Sequence, residues 1–166
     1  MLHFRLSSCI LAAILLSSPA EAQTETKIGD WFVIDHSGPA GLKCIVQNDG
    51  PKGSIGFVHT IKEGTVLSIL DNQNVNNPFD GQKQFKVTLK VGLETYQAMT
   101  TQVYRHLARI ALRWQADVVM GMIADGGQRG DVLTIPYPGH TYPIQGSREA
   151  FRAFNTCITR NAVSPF

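Results

Sequence analysis

Cysteine and histidine are the residues of this chain best suited to metal binding or catalysis, so their spacing decides which chemistry they could support. Beyond the N-terminal segment the histidines are spread along the chain, at His36, His59, His106 and His140. None lies at helical or hairpin spacing from another, and the sequence has no H-E-x-x-H motif, Cys-x-x-Cys pair or EF-hand loop. A metal site would have to be assembled from residues far apart in sequence. We therefore expect no metal and no cofactor.

A hydrolytic nucleophile is not indicated either. The sequence has no G-x-S-x-G elbow and no S-x-x-K motif. Asp35 and His36 form an adjacent acid–base pair, but neighbours on a strand point to opposite faces of a sheet. The segment GGQRG, residues 126–130, lacks the Lys-Ser/Thr ending of a phosphate loop, and we interpret it as a hairpin connection. The expectation is a protein without enzymatic activity, and a hydrolase with a dispersed site is the alternative.

The N-terminal residues have the layout of a secretory signal peptide. His3 and Arg5 give a short basic region, and residues 6–16 form an apolar segment too short to span a bilayer. Pro19 follows, with small residues just after it. This pattern predicts cleavage after Ala22 and export to the periplasm.

Residues 1–22 are thus a predicted signal peptide, and residues 23–166 a predicted single periplasmic domain. Cys9 precedes most of the apolar segment, unlike the cysteine of a lipoprotein box, and would be removed with the signal. No later segment approaches the roughly 18 apolar residues of a membrane helix. The formal net charge is +2, and the basic residues are scattered, so neither a transmembrane anchor nor a nucleic-acid surface is expected.

Cys44 and Cys157 remain after the predicted cleavage. In an oxidising compartment two such thiols in one domain favour a disulfide. Free thiols and metal ligation are the alternatives. A bridge closing so long a loop would contribute about 4–5 kcal/mol by the chain-entropy model.

Most of the chain shows the signals of short strands. Residues 23–29 are polar and are expected to be a frayed lead-in. The predicted strands occupy residues 30–36, 42–48, 54–61, 65–70, 83–91 and 95–101, and two further short strands flank the Pro-Gly turn within residues 131–146. Residues 102–114 fit either a strand or a helix, and the alternation in LARIALRW favours strands. Trp31 and Trp114 are expected to anchor the core.

Two helices are predicted late in the chain. A short one has Asp117 as its N-cap and ends just before Gly126. The second begins at a capping Ser147 and carries Phe151, Phe154 and Cys157 on its apolar face. This order predicts a mainly β, α+β fold: an antiparallel β-rich sandwich or barrel-like domain whose C-terminal helix is held to the first hairpin by the disulfide.

An asparagine-rich loop separates the fourth and fifth of these strands. Asparagine and aspartate satisfy backbone groups locally, so a long surface turn is one interpretation. The other is a binding loop, because long loops often carry function. Its candidate residues are Asn72, Asn74, Asn76, Asn77, Phe79 and Asp80.

Both ends of the domain resemble the invasion-associated locus B (IalB-like) family of exported bacterial proteins. IGDWFVID followed by GLKCIVQN is similar to the opening of that family, and YPIQGSREAFRAFNTC is similar to the end common to many such small periplasmic proteins. Trp31, Cys44, Gln47, Gly146 and Ala150 carry the likeness. The resemblance implies a β-rich periplasmic or envelope protein without known catalysis, linked in some members to host interaction and virulence.

The leading hypothesis is an exported, non-enzymatic envelope protein that acts by binding an unidentified protein partner. A periplasmic inhibitor or immunity protein against an envelope hydrolase is the second hypothesis, because a small disulfide-bonded β domain with a protruding loop suits that role. The oligomeric state is left open by the sequence.

Overall fold

A computed structural model of the protein describes residues 22–38, 41–72, 79 and 83–162. The strands are β1 Ala22–Ile28, β2 Trp31–Gly38, β3 Gly41–Gly50, β4 Gly53–Thr60, β5 Gly64–Asp71, β6 Lys86–Val91, β7 Glu94–Met99, β8 Gln102–Tyr104, β9 Leu107–Ala111, β10 Val132–Ile135 and β11 His140–Pro143; the helices are α1 Ala116–Arg129 and α2 Ser147–Ala162, and a 3-10 turn spans Arg113–Gln115. The predicted mainly β, α+β class is confirmed.

The strands form two antiparallel sheets. The large sheet has seven strands in the order β1-β2-β3-β4-β5-β9-β8, and the small sheet has four in the order β11-β10-β6-β7. The first five strands pair in sequence order because short turns connect them, which gives a meander. The ambiguous segment 102–114 contains β8 and β9, so the interpretation as strands is confirmed.

Alternation along the strands buries one face of the large sheet, here called the inner face. Trp31, Val46, Phe57 and Leu67 project from neighbouring strands onto this face and are fully buried. Helix α2 packs against β2 and β3 on the same side. Its Phe151 ring lies 5.1 Å from the Trp31 ring and 5.3 Å from the Phe57 ring, both edge-on, so the predicted packing of this helix on the first hairpin is confirmed.

The disulfide joins Cys44 in β3 to Cys157 in α2, as predicted, across a sequence separation of 113 residues. Both residues are buried, at 0% and 4% exposure. Asp30, in the turn between β1 and β2, is linked to Gln145, which lies just before α2. The Asp30 N–H donates to the Gln145 carbonyl at 3.1 Å, and the Gln145 N–H donates to the Asp30 carboxylate at 3.0 Å. The start and the end of the described chain are thus held together by covalent and hydrogen bonds.

Helix α1 is longer than predicted. It begins at Ala116 with Gln115 as its N-cap, and it ends at Arg129 with Gly130 as its C-cap, which has a φ of 79°. Gly126 and Gly127 therefore lie inside the helix, and residues 126–130 are not a hairpin connection. A Cβ at Gly126 would lie 2.1 Å from Val91 Cγ1, and one at Gly127 would lie 2.3 Å from the Ile144 carbonyl oxygen. These glycines mark close packing of the helix and not its end.

Three other local predictions are wrong. Residues 23–29 are not a frayed lead-in, because residues 23–28 belong to β1, which pairs with β2 along its whole length. Trp114 is 79% exposed, because the chain turns at Arg113, where φ is 51°, and leaves the alternation of β9. Ser147 does not cap α2, because its hydroxyl donates to the Ile123 carbonyl of α1 at 3.2 Å and so joins the two helices.

Candidate functional site

The outer face of the large sheet carries a straight row of apolar side chains. Pairing registers place Ile34 opposite Ile45, Ile45 opposite Val58, Val58 opposite Val66, and Val66 opposite Ala111. Directly opposed residues project to the same face, so these five form one row across five strands. We call it the apolar row.

Most of the apolar row is accessible. Ile34, Ile45, Val58 and Ala111 are partly exposed, and Val66 is 5% exposed. The core contacts of α2 and β11 are made with inner-face residues such as Trp31 and Asn48. A one-sided antiparallel sheet normally places polar residues on its solvent face. The isoleucines and valines of this row therefore point to an interaction surface.

Polar positions border the apolar row on both sides. Lys43 pairs with Thr60 on one side. On the other side Gln47 leads through Gly56 to Ser68. The surface is therefore an apolar stripe with largely polar margins, and Phe32 of β2 continues the Gln47 side as an apolar residue.

Arg109 closes one end of this surface. It lies beside Ser68 in the register, and its guanidinium contacts the Glu63 carboxylate at 2.8 Å and donates to the Gln102 side-chain oxygen at 3.1 Å. Its side chain is only 20% exposed, which shows that it lies along the sheet. Arg109, Glu63 and Val66 line a shallow depression of about 400 Å³. The depression therefore combines one ion pair with apolar and amide side chains.

A second cluster is the buried group Asp71, His140 and Tyr142, which is formed where β11 approaches the large sheet. His140 Nε2 lies 3.4 Å from the Asp71 carboxylate, and His140 Nδ1 lies 2.8 Å from the Tyr142 hydroxyl. All three residues are at most 2% exposed. Because the three side chains are enclosed in the core and contact one another, we assign this cluster a structural role.

Burial sets the protonation of this cluster. It lowers the pKa of His140, the Asp71 carboxylate opposes that shift, and Lys52 adds to it. Burial raises the pKa of Tyr142, and the Asp71 and Asp49 carboxylates raise it further. A neutral imidazole that accepts a hydrogen bond from the Tyr142 hydroxyl at Nδ1 and donates its Nε2–H to the Asp71 carboxylate fits these shifts and distances.

The surroundings of the disulfide also bring together groups that could bind a metal. A carboxylate oxygen of Asp35 and the sulfur atoms of Cys44 and Cys157 lie within 4.8 Å of one another. The sulfurs are bonded to each other and so are not thiolate ligands. Arg160 donates to the Asp35 carboxylate, which gives this buried acid a cationic partner. Asp35 faces inward and His36 outward, so the expectation that they cannot act together is confirmed.

His59 and His140 lie at opposite ends of β5, and the His106 carbonyl accepts from the Asp71 N–H at the same end as His140. His59 belongs to the disulfide end of the sheet, where its Nδ1 lies 3.0 Å from the Thr65 hydroxyl, and burial lowers its pKa. His140 belongs to the buried cluster at the other end of β5. Among the residues that the structure describes, Asp71 and His140 form the one contact at ion-pair distance between a histidine and a carboxylate. The sequence does not indicate this pair, because only the topology brings the two residues together.

The candidate binding loop is only partly within the described residues. Asn72 is exposed, and its N–H donates to the Lys52 carbonyl at 3.0 Å. Phe79 is 1% exposed and stacks on Phe85 at 5.2 Å, so it anchors the segment and is not available to a partner. Asn74, Asn76, Asn77 and Asp80 lie outside the described residues, as does most of the predicted signal peptide.

The apolar row was also missed, although a sequence signal for it existed. In WFVIDH both alternating sets are apolar, with Trp31 and Val33 on one face and Phe32 and Ile34 on the other. Ile45 and Val58 repeat the pattern in the next two strands. Apolar residues at both the odd and the even positions of successive strands predict that both faces of the sheet are apolar.

Comparisons with family models, with curated proteins and with solved structures found no match to this chain. Among the described residues, no helix has both the length and the apolar character needed to cross a membrane.

Proposed function

We propose that this chain is an exported envelope protein that acts by binding a protein partner through the apolar row. The observation that carries the proposal is the straight alignment of Ile34, Ile45 and Val58 on a sheet face whose opposite side already holds the core. Exposed apolar patches rimmed by polar residues are typical of protein interaction sites.

The dimensions of the row indicate what kind of element it binds. Adjacent strands are about 4.8 Å apart, so four steps from Ile34 to Ala111 cover about 19 Å. A helix of about 13 residues has the same length at 1.5 Å per residue. The polar margins at Lys43 and Gln47 match the polar flanks of an amphipathic helix. We therefore assign the row to an amphipathic helix of a partner protein.

The exported location rests on two features. The first 22 residues have the tripartite layout of a signal peptide. The bond between Cys44 and Cys157 is of the kind that persists in oxidising compartments. The resemblance to the IalB-like family supports the same location and supports host interaction as the biological setting.

The test is site-specific photo-crosslinking in the periplasm. A photoreactive residue at position 45 or 58 should capture the same protein, whereas one at position 90 should not, because Lys90 is exposed on the small sheet, away from the row. A hydrolase captured in equal amounts at both positions would make the chain an inhibitor. Identical capture at position 90 would contradict the proposal.

Binding of the captured partner then gives a quantitative test. Ile45→Lys should weaken binding by about tenfold or more, because a charge replaces an apolar contact at the centre of the surface. Lys90→Glu is the matched control and should leave the affinity unchanged. The thermal midpoint of each variant shows whether it is folded. Equal affinities for the Ile45→Lys variant and the unmodified protein would exclude the apolar row as the binding surface.

A further inference from the structure

Strand β1 forms one edge of the large sheet. In the described part of the chain it pairs only with β2, so the backbone groups along its other side lack a strand partner. Residues 23–27 are all exposed. Such an edge is a ready template for pairing with another strand.

The charges of β1 are arranged symmetrically about Thr26. Glu25 precedes it and Lys27 follows it, and neither forms an ion pair with another residue that the structure describes. Lys27 lies over the ring of Phe32 at 5.4 Å, and Glu25 is paired in the register with Ile34. At the directly opposed positions, Ile34 and Phe32, strand β2 therefore offers no charge to either residue.

We propose that two copies of this chain pair through their β1 strands, antiparallel and centred on Thr26. A two-fold axis at Thr26 sets it opposite Thr26 of the second copy. The same axis sets Glu25 of each copy opposite Lys27 of the other. Opposite charges and threonine pairs at directly opposed positions both stabilise antiparallel pairing.

The sequence of β1 itself indicates that the strand pairing with its free edge belongs to a second copy of the chain. The edge requires a strand that presents a cation opposite Glu25 and an anion opposite Lys27, with one uncharged residue between them. The segment Glu25-Thr26-Lys27 has that pattern when it runs antiparallel to itself. An isologous contact of this kind is the usual form of a two-fold dimer.

The dimer has a consequence for the outer face. Pairing of the two edges makes one continuous sheet from two large sheets. Within each copy Glu25 lies beside Ile34, and Lys27 lies beside Phe32. The Glu25–Lys27 contact between copies therefore connects the apolar row of one copy to the Phe32 side chain of the other. The dimer therefore presents two apolar rows on one surface.

The experiment measures the mass of the oxidised mature protein by analytical ultracentrifugation across a wide range of concentrations. The unmodified protein should dimerise. Lys27→Glu alone, or Glu25→Lys alone, places like charges opposite each other twice and should raise the dissociation constant about tenfold or more. Lys86→Glu is the control, because Lys86 is exposed on the small sheet, and it should dimerise normally.

Mixing the Lys27→Glu and Glu25→Lys variants is the decisive test of the charge pairing. A Lys27→Glu chain carries two acidic residues at the edge, and a Glu25→Lys chain carries two basic residues. The mixture should form a heterodimer with complementary charges at both positions, although neither variant pairs with itself. Circular dichroism of each variant checks that it is folded.

Two results would overturn the proposal. One is a monomer at every concentration, and the other is a dimer that survives the single substitutions or is not rescued by mixing. The measurement uses the purified chain alone, so its outcome is independent of the partner binding proposed for the apolar row.

Discussion

The Asp71 carboxylate lies 3.4 Å from Nε2 of His140, and this contact joins the large sheet to the small sheet inside the core. Asp71 ends β5 and His140 begins β11. Tyr142, two residues later on the same face of β11, completes the cluster through the other ring nitrogen. A buried polar group stabilises a fold only when its partners are in place, so each member of this cluster is sensitive to substitution.

Tyr142→Phe should destabilise the protein by about 1–3 kcal/mol, because it leaves His140 Nδ1 buried without its partner while the ring is preserved. The free energy of unfolding in urea measures the loss. Tyr104→Phe is the control, since Tyr104 is 64% exposed. Equal stability of the Tyr142→Phe variant and the unmodified protein would show that the hydrogen bond contributes nothing net.

Stability should decrease as the pH falls below about 6.5, the pKa of histidine in an unfolded chain. Burial lowers the pKa of His140 and of His59 in the folded state, so the unfolded chain takes up protons first. This part of the stability is complete above the unfolded pKa and is lost as the pH falls toward the folded pKa. Urea midpoints between pH 8 and pH 5 would show it.

Substitution of His140 measures how much of that pH dependence of stability comes from this residue. His140→Gln should lower stability at pH 8 and flatten the decrease toward pH 5, because no buried imidazole remains there to resist protonation. His59→Gln should remove only the part of the pH dependence that His59 causes. A pH dependence that is unchanged by His140→Gln would contradict the assignment.

Two glycines of α1 should respond to alanine in opposite directions. Gly127→Ala should destabilise by about 1–3 kcal/mol, because its Cβ would lie 2.3 Å from a backbone carbonyl oxygen. Gly121→Ala meets no atom within 4 Å and should stabilise by up to about 1 kcal/mol through helix propensity. Thermal midpoints compare them directly, and a stabilising Gly127→Ala would show that the helix is not closely packed there.

Loss of the disulfide should be the largest of these effects. Cys157→Ser should lower the free energy of unfolding by about 4–5 kcal/mol, mainly because the unfolded chain is no longer closed into a long loop. The double variant Cys44→Ser, Cys157→Ser controls for reactions of the free thiol. In the oxidised folded protein both cysteines should resist alkylation until a reductant is added, and reduction should add the mass of two hydrogens.

The strands and the disulfide were predictable from local signals, and the errors have specific physical causes. Apolar and polar residues alternate along strand β6, so the sequence alone predicts that Val87, Leu89 and Val91 form its buried face. Strand β1 has no such pattern, since its five residues 23–27 are polar, and its conformation comes from pairing with β2. Gly126 indicated a helix end locally, whereas it lies inside α1 at a position where Val91 leaves no room for a Cβ atom.

The candidate site was harder to predict than the fold. The apolar row becomes visible only when the residues of several strands are aligned in register, and the register depends on the turns. Asp71 and His140 are distant in sequence, and nothing local to either residue indicates the other. Trp114 continues the alternation of the buried residues of β9, but the turn at Arg113 places its side chain in solvent.

The position of Cys157 in α2 makes the covalent bond depend on a helix that follows every strand of both sheets. Its partner Cys44 lies in the third strand, so the bond can form only after α2 has been synthesised. Phe151 of the same helix covers Trp31 and Phe57. A chain truncated before residue 147 therefore loses both the bond and the apolar cover of this part of the inner face.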